Sequence, residues 1–540
     1  MTESSASTSP GVPLSRDDWW TAVGLTLCVL AAYVLTGPGR IDIIDGQLRY
    51  DVTRSLLDGA GFQVRDPVLP HKVAGLEGRQ YAFYGPGASV LGLPLVWLAR
   101  SLGGDRNTEM FFFSLTSAFV VSACVGAFYL LRRRLGGTEL RSTAWAFFLA
   151  FGTPLWPLAT TVFDQGQHAA VLFLATTLGW EAALRQNRAI AVLAGVVGGS
   201  VVLFQEGLLL LLPFVGLCTL EGAHWPGRGR FDPWAWIRMP ELRSRYLPFA
   251  LGCAVPFALW LLFNFVRFGS PFDSGKADIA GHPPIWGSPV AGFFGLLFSP
   301  GKSIFLFFPS LLPSLLCIRA WWRKTPLLCL AVVATTVVQL AVASSLTFWG
   351  SDWAWGPRYL MLLAPLLTIP LGLFGFTQGF GKWILFALVP IAIGVQLMGI
   401  LVDQHPFFFE RNLSAYFWYY APETYWHESQ LFARPAEIAR IFTQPFPLPP
   451  IAFRPGPYQE IWPTYCIFGG RPFESHLWMQ RFAVFYLPRP WPLWIGFVPA
   501  WQKPVSSVLM LGASLSVGCA GLLGLGLGLR RRLAQNLGMS

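Results

Sequence analysis

The chain has 540 residues, of which 54% are hydrophobic and 12% charged, about half the charged fraction of ordinary soluble domains. Its net charge of +11 does not point to nucleic acid, because the arginines stand in short clusters beside apolar blocks and form no basic stripe interleaved with exposed aromatics. Those blocks are long enough to cross a bilayer, at about 20 residues each, so a large soluble core is excluded as well.

In chain order, residues 1–18 are polar and lack the basic start of a signal peptide, which predicts a disordered cytosolic tail. Spanning helices are expected near 19–37, 109–131, 142–158, 167–184, 189–204, 207–220, 246–266, 303–320, 326–347, 359–377, 383–402 and 505–529. One further block, 86–101, is short and opens with Pro86 and Gly87. If it does not cross, then Arg132, Arg133, Arg134, Arg141, Arg185, Arg188, Arg228, Arg230, Arg238, Arg243, Arg245, Arg323, Lys324, Lys382 and Arg530–Arg532 all fall on one side. If it crosses, every later cluster faces the wrong way. Block 86–101 is therefore read as interfacial or re-entrant, and the fold class as an all-α polytopic membrane protein with about twelve transmembrane helices and both termini cytosolic.

The same count puts five segments outside: 38–108, the loop near 159–166, 267–302, 348–358 and 403–504. The module 19–402 is expected to be catalytic. The aromatic and proline-rich 403–504 is expected to be an irregular cap with short helices, and 505–540 to be the last span and a basic tail. Eight cysteines show no CxxC spacing, so neither a disulfide framework nor a zinc site is supported.

Isolated acids gather in the outer segments. Asp42 and Asp45 directly follow the first span in RIDIIDGQLRYDVTRSLLDG. Acids at a membrane boundary are costly to desolvate and tend to be functional or paired. Asp45 before Gly46 serves equally well as the cap of a helix beginning at Gln47.

The order D-G-x-x-R-Y at 45–50, S-L-L-D-G at 55–59 and Y-x-x-Y-G-P-G at 81–87 resembles the first outer loop of lipid-carrier-dependent glycosyltransferases of the GT-C superfamily. The group most resembled is family 39, which holds protein O-mannosyltransferases and the aminoarabinose transferases of lipid A. The turn Tyr84-Gly85-Pro86-Gly87 departs from the family pattern at one proline. The stretches NFVRFGSP at 264–271, LFSPGK at 297–302, Trp349-Gly350 and WGPRY at 355–359 also resemble bacterial members. The likeness covers roughly 20–380 and leaves the cap unmatched.

The resemblance implies a GT-C-like bundle with interfacial helices in the first outer loop and the active site outside; with no organelle signal in the sequence, the plasma membrane of a bacterium is the expected location. It implies inverting transfer from a polyprenyl-phosphate sugar to a glycan, lipid or protein acceptor. A carboxylate serves as base, here Asp45 or Asp42. Cations hold the leaving phosphate, and Arg358 is expected first, with Arg267 and Lys302 after it. An outer basic residue otherwise simply snorkels to the interface. Tyr50, Tyr81, Tyr84, Asp164, His168, Asp352 and Trp355 are expected to contact substrate, although His168 also reads as a plain helix cap. Glu206 reads as the polar turn of a helical hairpin, and Asp273 with Lys276 as a solvated loop. No cofactor is expected, and two acids alone do not support a divalent metal. Competing readings are a ligase or polymerase using a lipid-pyrophosphate donor, a lipid or sugar flippase, and a non-catalytic scaffold.

Overall fold

The computed structural model describes residues 11–37, 41, 43–66, 69, 72–223, 239–276, 285–351, 354–375, 379–401, 407, 424–443 and 507–536. Asp42, Asp352 and most of the cap lie outside them.

The described chain is mostly helical. Five helices are long and apolar enough to cross a membrane: Arg16–Thr36, Thr108–Arg134, Leu242–Phe268, Pro326–Ser344 and Gly381–Leu401. On Leu242–Phe268 the side chains Leu251, Val255, Leu259, Leu262 and Val266 are all more than half exposed and recur at three- and four-residue spacing. One stripe of this kind suits lipid contact better than water.

Helix α1 (Arg16–Thr36) begins earlier than hydropathy suggests, because Ser15 caps it in a reciprocal box with Asp18. The carbonyls of Gly11 and Val12 accept from Arg134, so the expected tail is already fixed at residue 11. The last described helix, Ser507–Asn536, packs along α1. Gly24 and Gly521 face each other there, and a Cβ on Gly24 would lie 2.7 Å from the Gly521 carbonyl.

After α1 come α2 (Ile44–Leu57), a short antiparallel hairpin of β1 (Lys72–Ala74) and β2 (Gln80–Ala82), α3 (Gly87–Ser101) and α4 (Arg106–Ser114). The hairpin is an addition to the all-α expectation. α3 matches block 86–101, and both its ends tie to the same end of the bundle. Gly87 sits on the Phe204 ring, while Arg100 pairs with Glu109 at the start of a long apolar helix.

The helices α5 (Thr116–Arg134), α6 (Glu139–Phe151), α7 (Leu155–Ala159), α8 (Gln165–Arg185) and α9 (Arg188–Gly199) form the densest core with α1. Several expected spans are broken rather than continuous. The block 142–158 splits at Gly152–Pro154, and 207–220 alternates 3-10 and α turns around Pro213. Block 303–320 divides into Ile304–Phe307, Leu311–Leu316 and Ile318–Lys324, with Pro309 in the first break, and 359–377 is cut at Leu362–Leu363, just ahead of Pro365, and again at Ile369–Pro370. Each proline removes a backbone donor and crowds the preceding turn. Hydropathy registers the apolar run and ignores the break.

An apolar helix, Pro289–Phe298, lies inside the expected loop 267–302 and packs on Pro326–Ser344. Gly292 permits it, since a Cβ there would meet the Ser344 carbonyl at 2.0 Å.

Candidate active site

One end of the bundle gathers Asp45, Tyr84, Asp164, His168 and Arg358 of the residues singled out above. Three pieces of chain build it: the first two turns of α2, the turn 83–87, and the loop 160–164 that leads into α8.

α2 starts at Ile44 with Ile43 at its N-cap and no side-chain capping bond, so Asp45 sits in the first turn and is not the cap. A carboxylate there is favoured by the unpaired backbone amides of the helix start. Arg49 follows four residues later, which sets it on the same face as Asp45. Gly46 lets this end of α2 approach the loop before α8, because a Cβ would come within 2.3 Å of Val162.

The Arg49 Nη2 donates to Asp164 Oδ2 at 2.8 Å, with both side chains about 5% exposed or less. His168 Nε2 stands 3.5 Å from the same oxygen, and its ring packs edge-on against Phe204. Burial alone would raise the Asp164 carboxyl; Arg49, His168 and Arg358 outweigh it and hold that carboxyl well below the usual range.

The turn 83–87 supplies Tyr84. Gly85 can lie on the Leu203 carbonyl only for want of a Cβ, which would be 2.1 Å away. The Tyr84 ring is stacked under the Arg49 guanidinium at 4.4 Å. Its hydroxyl is pushed well above the ordinary range by burial and by the nearby Asp45 carboxylate.

Arg358 enters from the far end of the sequence. Its guanidinium lies 3.9 Å over the Phe163 ring, and Nη2 reaches the Tyr359 hydroxyl at 3.4 Å. Burial works against its charge, but Tyr359, Asp45 and Asp164 raise its pKa, so it stays a cation. The Nε and Nη1 atoms of both Arg358 and Arg49, and both nitrogens of His168, are buried without a hydrogen-bond partner. Buried donors are almost always satisfied. The four guanidinium nitrogens among them all carry N–H and could serve acceptor oxygens.

The other expected residues lie elsewhere. Arg267 is 2% exposed, donates to the Ala82 carbonyl and to Asn264 Oδ1 at 2.8 Å each, and is sandwiched against Phe263 and Phe268. It fixes the hairpin to the helix Leu247–Phe268, and Tyr81 packs edge-on against Phe268 beside it. Lys302 is fully buried and donates to three backbone carbonyls, those of Ser351, Ala354 and Gly356. Tyr50 faces away from Asp45 and donates to Glu109 at 2.8 Å, within an ion network that also holds Arg54 and Arg100. Trp355 packs edge-on against Phe307 in a separate apolar cluster. Glu206 pairs with Lys276, while Asp273 accepts from the Gly275 amide to close its own turn.

Sequence reading passed over Arg49, although the four-residue step from Asp45 was visible within D-G-x-x-R-Y. Phe163 and Phe204 carry no signal of their own, since one aromatic among 45 phenylalanines is unremarkable until the chain is folded. Among the described residues no group of three His, Cys, Asp or Glu side chains has the arrangement to hold a metal ion. No family model and no curated protein matches the chain.

Proposed function

We propose that this end of the bundle is the active site of a membrane glycosyltransferase of GT-C type, which moves a sugar from a polyprenyl-phosphate donor to an acceptor hydroxyl. One observation carries the reading: a carboxylate, Asp45, and a cation with unpaired donors, Arg358, converge on Tyr84 from distant parts of the sequence. Single displacement at an anomeric carbon requires that pair.

In the reaction, the Asp45 carboxylate takes the proton of the acceptor hydroxyl as its oxygen attacks the anomeric carbon. The bond from that carbon to the phosphate oxygen breaks, and its electron pair leaves with the phosphate. Charge grows on the phosphate at that moment, where the free Nε and Nη1 of Arg358 suit a planar oxyanion. Tyr84 lies beside the Asp45 carboxylate and fills the space next to it until the acceptor arrives. Asp164 is not the base here, because Arg49 and His168 already engage it.

The proposal extends to topology. Twelve traverses, with the Arg132–Arg134 end in the cytosol, put the site outside, where a lipid-linked donor presents its sugar. Contacts among the first helices fit that orientation: Thr36 meets Trp156 at the site end, whereas Asp18 meets Arg133 at the other.

The test uses purified protein in detergent with radiolabelled polyprenyl-phosphate sugars, wild type beside Asp45→Asn. Loss of a positioned base should lower turnover by about 10²–10⁴-fold while donor binding persists. An equally active variant would pass the base role to Asp42. A wild-type protein that consumes none of the donors would sink the reading.

A further inference from the structure

We infer that Lys302 is a positioning residue for Arg358, and that Tyr425, from the region after residue 403, completes the clamp. The inference rests on the reading above for what Arg358 does. How Arg358 is held is a separate question, settled by separate contacts.

Arg358 needs outside help to hold its aim. Among the described residues its guanidinium makes a single hydrogen bond, at 3.4 Å, to a neighbour in its own turn. Its direction is therefore set by its backbone, in the segment that begins at Trp349. Ser351 and Gly356 both take left-handed conformations there, with φ of 50° and 64°. A serine adopts that region only when its surroundings over-determine it. Here they do: its amide donates to the Phe348 carbonyl at 2.9 Å, and its hydroxyl accepts from the Arg358 amide at 3.1 Å.

The Lys302 ammonium supplies the rest. It donates to the carbonyls of Ser351 at 3.3 Å, Ala354 at 3.0 Å and Gly356 at 3.1 Å. An ammonium has three protons, and three carbonyls from one segment accept from it. The residues on either side of Arg358's approach are thus gathered around a single buried charge.

Tyr425 closes the cage. Its ring centroid lies 5.0 Å from the Lys302 nitrogen, and its carbonyl accepts from the Gly301 amide at 2.9 Å. Gly301 and Gly350 make room for it: a Cβ would lie 2.7 Å from the ring on Gly301 and 2.0 Å from it on Gly350. Ser429 then donates to the Pro300 carbonyl at 2.6 Å. The helix Gln430–Thr443 is in this way tied to the loop that carries the cation.

The probe is polyprenyl phosphate, the leaving group without its sugar, titrated into the full-length protein in detergent. Arg358→Gln and Lys302→Met should each weaken binding about 10- to 100-fold, as loss of a charge-assisted bond does. The double variant should bind within about twofold of Arg358→Gln alone, since coupled residues are not additive. Amide exchange across 349–358 should rise about tenfold or more in Lys302→Met. Tyr425→Leu, which leaves the ammonium in place, should raise exchange in the same peptide and serves if Lys302→Met does not fold. Additive losses would mean that Lys302 touches phosphate itself and would overturn the inference. Unchanged exchange across 349–358 would overturn it too. Should wild type fail to bind polyprenyl phosphate, the donor reading falls, while the exchange result alone still decides for or against the clamp.

Discussion

The two ends of the helix bundle handle their charges differently. At the end opposite the candidate site, arginines are used up in pairing. Arg133 meets Asp18 at 2.7 Å, Arg134 grips both oxygens of Glu181 and two carbonyls besides, and Arg245 donates to the carbonyls of Ala183 and Glu221. Arg132 is the partial exception: Nη1 serves the carbonyls of Ile369 and Leu371, while Nε and Nη2 lie unpaired among Phe128 and Trp145. At the site end, Arg358 keeps two donors idle and so does Arg49, within reach of two carboxylates. Burying a polar group without a partner is costly. Ordinary stability explains most of the paired end, and on the proposed reading the idle donors at the site end await the donor phosphate.

The largest effect that would sharpen this contrast comes from Arg49. Replacing it with methionine leaves the buried Asp164 carboxylate without its ion partner, at a cost of about 3–5 kcal/mol. The double variant Arg49→Met, Asp164→Asn should recover most of that loss, because no charge is then stranded. Thermal unfolding in detergent reads both. If the double variant is as unstable as Arg49→Met, the pair is not what holds α2 to α8.

Part of this arrangement was legible beforehand. Asp45 followed a spanning helix, Tyr84 and its glycines made a turn, and basic clusters alternated with apolar blocks in one consistent order. The helix breaks at Pro309, just ahead of Pro365 and at Pro370 were also written in the chain, but a hydropathy average runs through a proline without noticing it. What could not be read was partnership. Arg49 becomes a site residue through Asp164, 115 positions away. Arg267 and Lys302 looked like Arg358 as outer cations, and only the fold commits their donors to protein acceptors. A basic residue carries the same letter whether it waits for phosphate or ties a loop.

A second, smaller effect tests whether the site depends on close backbone approach. Gly85→Ala would drive a Cβ to 2.1 Å from the Leu203 carbonyl. Relief requires the turn 83–87 to back away, at about 1–3 kcal/mol. Tyr84 then moves off Asp45, so turnover should fall by more than the stability loss explains. Gly512→Ala, where a Cβ meets nothing within 4 Å, is the matched control and should change neither. Equal behaviour of the two variants would break the link between the turn and the site.

The smallest expected effect sets the two ends against each other in pH. Glu221 lies at the paired end, where its Oε2 accepts the Leu328 amide at 2.8 Å and caps a helix whose N-cap Thr325 makes no side-chain bond. Burial pushes its carboxyl up from 4.5 to about 7, against the opposing pull of the Leu328 and Leu327 amides. A raised folded pKa means the folded form holds the proton more tightly than the unfolded one. Its contribution is full below 4.5 and is lost as pH rises through about 7. Asp164 runs the other way: with its folded pKa depressed, its contribution is present above the ordinary carboxylate range and fades as pH falls below it. Glu221→Gln keeps the accepting oxygen and cannot ionise. It should therefore melt with little change between about pH 6 and about pH 8, where wild type loses about 1–2 kcal/mol. If the variant follows the wild-type curve, Glu221 is not the group responsible, and the paired end holds its charges no differently from water.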